Sequence, residues 1–191
     1  MNDKKNLRKL KRNLRNVKGQ LLDVEMIELY KIASLVPSNT CIVEIGSFQG
    51  KSTLLLAYGT QAGNMNKVYS IDPHLDFIGV NGGVFGPIDL QKKYKNMVRN
   101  YKGDNIFVVA LKSKQVCNWE IPIGMIFIDG DHTYEGVKFD YENFKENVVT
   151  GGKILFHDSK MPEIKRFLDK LDSQEIKFIE EIGTIKMYEK L

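Results

Sequence analysis

The chain has 191 residues, 42% of them hydrophobic and 27% charged, which is the range of a single soluble α/β domain. No apolar run approaches the roughly 20 residues of a membrane-spanning helix, and the N-terminus lacks the apolar stretch of a secretory leader. The net charge of +4 is uneven, because residues 1–18 hold eight Lys or Arg against Asp3 alone and the rest of the chain stands at −3; nucleic acid is therefore disfavoured as the main substrate.

Leu7, Leu10, Leu14, Val17, Leu21 and Val24 recur at 3-4-3-4-3 spacing. The pattern predicts a basic amphipathic helix over 1–20 with one apolar seam. Its expected partner is the domain over 21–191 or a second copy of the chain, with an anionic surface as the alternative. A second helix, 21–37, stops at Pro37. Cys41 and Cys117 sit in apolar context without metal-ligand spacing and are expected to be buried free thiols of a cytoplasmic protein.

Strands and helices then alternate. Strands are predicted at 41–45, 67–71, 106–111, 123–128 and 152–156, and helices at 51–61, 88–101, 135–149 and 162–171, with a closing hairpin over 177–191 that turns at Gly183. Fully apolar strands between amphipathic helices imply a Rossmann-like α/β fold. We expect a seven-stranded, mostly parallel sheet with helices on both faces and a C-terminal antiparallel hairpin. The long stretch 73–87, with Gly79, Gly82, Gly83 and Gly86, follows the second strand and so lies at the carboxyl edge, where open α/β sheets bind ligands.

The run "EIGSFQGKSTLLLA" (44–57) resembles a phosphate loop. A phosphate loop needs four residues between its glycines so that successive amides wrap the phosphate. Here Gly46 and Gly50 enclose three, and Glu44 and Asp72 would repel a polyanion. A dinucleotide fingerprint fails as well, since Phe48 stands where the second glycine belongs. Asp72, 26 residues beyond Gly46, has the spacing of a carboxylate that meets ribose hydroxyls. Nucleotide binding of the phosphate-loop type is kept as an alternative.

Taken together, "VEIGSFQGKST", "VYSIDP", "MIFIDGDHTYEGVKFD" and "GGKILFHDS" resemble the class I S-adenosylmethionine-dependent methyltransferases. They are most similar to the small-molecule O-methyltransferase branch that contains sugar O-methyltransferases and cephalosporin-hydroxylase-like proteins. The resemblance covers about residues 20–191. It implies that Glu44, Gly46, Ser47 and Gly50 line the methionine end of the cofactor, that Asp72 takes the ribose diol with His74 beside it, and that Ser113 faces the adenine. Lys112 departs from the acid common next to that serine.

Metal-dependent relatives hold a divalent ion at positions matching Asp129, His157 and Asp158, with Asp129 also bordering the cofactor. His157 departs from the usual oxygen ligand, which admits manganese as well as magnesium. Asp131, His132 and His157 are the candidates to take the acceptor's proton. Tyr134 is expected to pack at the helix start. The resemblance implies methyl transfer to an oxygen of a small polar acceptor, a sugar or natural product. The alternatives are a cofactor-binding module without efficient catalysis, a nucleic-acid methyltransferase guided by the basic helix, and a hydroxylase, which would need an iron triad that the sequence lacks.

Overall fold

The computed structural model describes residues 3–78 and 84–191. Gly79, Gly82 and Gly83 of the long loop, and the side chain of Leu7, lie outside the described residues.

The first two strands of the main sheet are β1 (Cys41–Ile45) and β2 (Val68–Ile71), after which β3 (Phe77–Ile78) and β4 (Val84–Phe85) form a separate antiparallel ribbon within the long loop. The main sheet continues with β5 (Ile106–Val109), β6 (Ile123–Ile128), β7 (Val148–Phe156), β8 (Ile176–Ile182) and β9 (Ile185–Lys190). Its seven strands stand in the order β5-β2-β1-β6-β7-β9-β8. The first five in that order run parallel, whereas β9 pairs antiparallel with both β7 and β8. The chain reverses direction across the sheet between β1 and β6, so their carboxyl ends form the crevice of an open α/β sheet.

Strand parity decides what each face buries. On β1 and β6, Ile42, Met125 and Phe127 point into one core, with α1 (Asp3–Leu14), α2 (Asp23–Ser34) and α3 (Lys51–Ala62). The long loop leads into α4 (Pro87–Asn100). Cys41, Val43, Ile45, Ile126 and Ile128 point into the other core, against α5 (Tyr134–Phe144) and α6 (Pro162–Leu168). Both faces are covered, as continuous apolar strands require.

The N-terminal helix ends at Leu14 instead of residue 20. Leu10, Leu14 and Val17 are buried in the same core as α2 and α3. Each such side chain contributes about 1.5–3 kcal/mol, enough to dock a 12-residue helix that would be marginal alone. The predicted seam fails at Val24, which is exposed on α2.

Several predicted boundaries shift. The helix expected to reach Val149 stops at Phe144, and Val148 and Val149 begin β7, where Val148 pairs with Ile123. β-branched residues beside a strand already in place favour that outcome. The helix expected to reach residue 171 ends at Leu168, and the strand expected to reach 111 ends at Val109. Cys41 is buried as expected, but Cys117 is exposed, because the segment after β5 runs along the surface. No described helix is long and apolar enough to cross a membrane.

Candidate active site

The turn after β1 is built around glycine. Gly46 has φ +81°, and a Cβ there would lie 2.0 Å from the carbonyl oxygen of Asp129. Only glycine lets the two strand ends approach this closely. Phe48 also has a positive φ, 46°, which is strained for a bulky residue. Asp72 holds it there: its Oδ2 accepts from the amides of Ser47 and Phe48, each at 2.9 Å. Its Oδ1 accepts from the amide of His74, also at 2.9 Å. Two of the amides that would wrap a phosphate are thus committed to a carboxylate. The lysine of the apparent phosphate loop is committed too, since Lys51 Nζ donates to the Gly19 carbonyl at 3.1 Å and ties down the linker between α1 and α2.

Glu44 shares the parity of Ile42 and points into the layer beneath the sheet. There Oε2 accepts from Thr53 and Ser70, and Oε1 has no partner among the described residues. Burial raises its pKa, and nearby Lys93 opposes the rise. It therefore lies away from the ligand edge, and Asp72 orients the turn's amides. His74 is buried, its pKa lowered by burial first, and Nε2 lacks a partner among the described residues. Ser113 opens a short 3-10 turn near the carboxylate of Asp140. Burial pushes that carboxyl up to about 6, with Asp131 adding to the rise.

The second half of the site joins the ends of β6 and β7. His132 Nε2 lies 3.4 Å from Asp129 Oδ1 and 3.7 Å from Asp158 Oδ2. One ligand atom from each of Asp129, His132 and Asp158 lies within 4.8 Å of the others. Two carboxylates and an imidazole form a donor set that suits manganese, and magnesium less well. His157 sits behind this cluster. Its Nδ1 is 3.0 Å from Asp129 Oδ1 and 3.5 Å from Asp158 Oδ2, and its Nε2 is 3.5 Å from Glu25 Oε2. Burial alone would lower its pKa, but Asp129, Asp158 and Glu25 push it up to about 12. Both ring nitrogens then carry protons, so the ring is a counter-cation to the carboxylates. Asp131 turns away, its Oδ1 accepting from the Thr133 amide at 3.0 Å at the start of α5, where Thr133 caps the helix.

Several residues that the sequence does not single out belong to this site. Glu25 and Thr184 border, with Gly19–Leu22, His157 and Asp158, a cavity of about 300 Å³ beside the cluster. Asp140 is legible as an acid on the apolar stripe of Val137, Tyr141 and Phe144. Lys93 carries no signal beyond its place in a helix.

A family model described as "Methyltransferase domain" matches residues 43–159. Among solved structures, the chain resembles an rRNA methylase from Streptococcus thermophilus, with TM-score 0.61, 16% identity, and 91% of this chain and 99% of that one covered. It resembles SMU.1697c from Streptococcus mutans, described as a methyltransferase, in complex with SAH (TM-score 0.62, 15% identity, 90% and 100% covered). It also resembles the O-methyltransferase NovP (TM-score 0.63, 16% identity, 86% and 78% covered). At these identities the structures speak to the fold. The chain belongs to the methyltransferase-domain family, and its fold is that of the class I, S-adenosylmethionine-dependent enzymes.

Proposed function

We propose that the chain transfers a methyl group from S-adenosylmethionine to an oxygen of a small polar acceptor, a sugar or natural product. The observation that carries this reading is the meeting of two half-sites across β1 and β6. The Gly46–Gly50 turn closes on the Asp129 backbone, while the Asp129, His132 and Asp158 side chains gather beside a cavity of about 300 Å³. The buried Nε2 of His74, which has no partner among the described residues, suits an adenosine ligand without phosphates. When bound, S-adenosylmethionine supplies a sulfonium methyl, and the S–C bonding pair stays on sulfur as the acceptor oxygen takes the carbon.

The protein's part is alignment and removal of the hydroxyl proton. His132 is the base. Its hydrogen bond with Asp129 raises its pKa, and it is the partly exposed imidazole of the cluster, while His157 is buried and already protonated. Asp129 and Asp158 stabilise the charge that His132 gains. Asp129, His132 and Asp158 would hold Mg²⁺ or Mn²⁺, which would lower the acceptor hydroxyl's pKa; Asp131, on the same loop, would then take the proton. Gly46, Ser47 and Gly50 shape the methionine end of the pocket, Asp72 and His74 border the ribose, and Ser113 with Asp140 borders the adenine. The negative balance of the body after residue 18 supports a small acceptor over nucleic acid, and the free thiols support a cytoplasmic setting. Burial of Leu10, Leu14 and Val17 in the chain's own core leaves the outer face of the N-terminal helix for any contact with a second copy.

The test is methyl transfer from labelled S-adenosylmethionine to a panel of sugars and phenols, with and without Mn²⁺. We expect product with at least one acceptor and a fall of about 100-fold in kcat for His132→Ala. A variant as active as the wild type would remove His132 from the chemistry.

A further inference from the structure

Lys93 on α4 has no exposed surface, which is rare for an ammonium group unless it is paired. Its Nζ donates to Ser47 Oγ at 2.7 Å and to Ser70 Oγ at 2.6 Å. Ser70 in turn donates to Glu44 Oε2, and the Ser47 hydroxyl lies 3.4 Å from Asp72 Oδ2. One cation is thereby joined, through two hydroxyls, to the carboxylates at the ends of β1 and β2. Its neighbours on the same helix face act on the same turn. Asp89 Oδ1 accepts from Gln49 Nε2 at 2.9 Å, and Asn96 Nδ2 donates to the Gln49 carbonyl at 2.9 Å. Positions 89, 93 and 96 are stacked at four- and three-residue spacing, so one helix face reaches the turn at three successive levels.

We propose that Lys93, together with Asp89 and Asn96, positions the turn for cofactor binding: α4 grips residue 47 through Lys93 and residue 49 through the other two, and so keeps the turn in its ligand-ready shape. This rests on the reading that the turn holds S-adenosylmethionine. The Ser47 hydroxyl is committed to Lys93 and Asp72, so it serves the pocket by fixing the turn and not by touching the ligand. Gly50 fits the same account, because a Cβ there would lie 3.0 Å from Lys93 Cγ and φ is +84°. The helix also carries the end of the loop that follows β2, since the Gly86 amide donates to Asp89 Oδ2 at 3.0 Å. Turn and loop are thereby tied to one rigid element.

The experiment is calorimetric titration of S-adenosylhomocysteine into the wild type, Lys93→Met/Glu44→Gln and Asn96→Ala, each with a thermal melt. Glu44→Gln removes the carboxylate that Lys93→Met alone would leave unpaired. The double variant is expected to melt cooperatively and to bind about tenfold more weakly, and Asn96→Ala about threefold more weakly. Wild-type affinity in the double variant overturns the proposal. If the double variant does not melt cooperatively, Asn96→Ala decides, and its binding like the wild type overturns the proposal. No binding by the wild type overturns the cofactor reading itself, and this inference with it.

Discussion

Glu25 and His157 are 132 residues apart in sequence, and their side chains meet at 3.5 Å between Oε2 and Nε2. The Glu25 carboxylate also accepts from the Leu22 amide at 2.7 Å and from the Thr184 amide and hydroxyl at 2.7 and 2.8 Å. It therefore fastens α2, the β8–β9 turn and the end of β7 to one point. Its environment dictates a pH dependence. Burial alone would raise its pKa, but His157 and these donors bring it down to about 2.

A depressed carboxylate pKa stabilises the fold above pH 4.5 and loses that contribution as pH falls towards 2. A raised imidazole pKa contributes fully below pH 6.5, and the contribution drains away as pH rises towards 12. Stability should therefore peak between about pH 4.5 and 6.5 and decline on the alkaline side. Thermal melts from about pH 5 to 9.5 test this. Glu25→Gln should cost roughly 3 kcal/mol near pH 6, while the alkaline slope persists because Asp129, the largest of the influences that raise His157, remains. Wild-type stability near pH 6 would show that the pair is not coupled as the geometry requires.

Gly46→Ala should unfold the protein or cost roughly 3 kcal/mol or more, because the substitution adds a left-handed backbone penalty to a clash with Asp129. Denaturant melts measure it. A variant of wild-type stability would mean that the two strand ends are not in contact.

Lys51→Met should leave S-adenosylhomocysteine affinity within about twofold, since Lys51 serves the Gly19 carbonyl and a partly exposed hydrogen bond of this kind contributes about 1 kcal/mol to folding. A large loss of affinity, or tight ATP binding by the wild type, would restore the phosphate-loop reading.

Thiol titration separates the cysteines. Burial pushes Cys41 up to about 12, and Cys117 is exposed, so a disulfide reagent should modify one thiol in the native protein and two in urea. Two fast thiols in the native state would contradict the burial of β1.

The sheet is readable from the sequence because its strands are continuous apolar runs, a pattern that few other elements produce. The glycine turn is readable from Gly46 and Gly50, whose positive φ angles only glycine adopts freely. What stays hidden are partnerships across long separations. Glu25 looks like an ordinary helix-start acid, and nothing local ties it to Thr184. Lys93 shares its helix with Lys92 and Lys95, and packing alone shows that it is the buried one of the three. The position of Glu44 beside the turn suggests a ligand contact, whereas strand parity sends its side chain below the sheet. The position of His157 suggests a metal ligand, and the structure sets its ring against Asp129, 3.0 Å from Oδ1, with His132 the imidazole grouped with Asp129 and Asp158.

A crystal structure with S-adenosylhomocysteine is the most direct measurement. The thioether is expected at the carboxyl ends of β1 and β2, with its ribose diol against Asp72, its adenine near Ser113 and Asp140, and its sulfur facing the cavity beside Asp158. Density for that ligand elsewhere, or a nucleoside triphosphate seated on the Gly46–Gly50 turn in its stead, would contradict this placement.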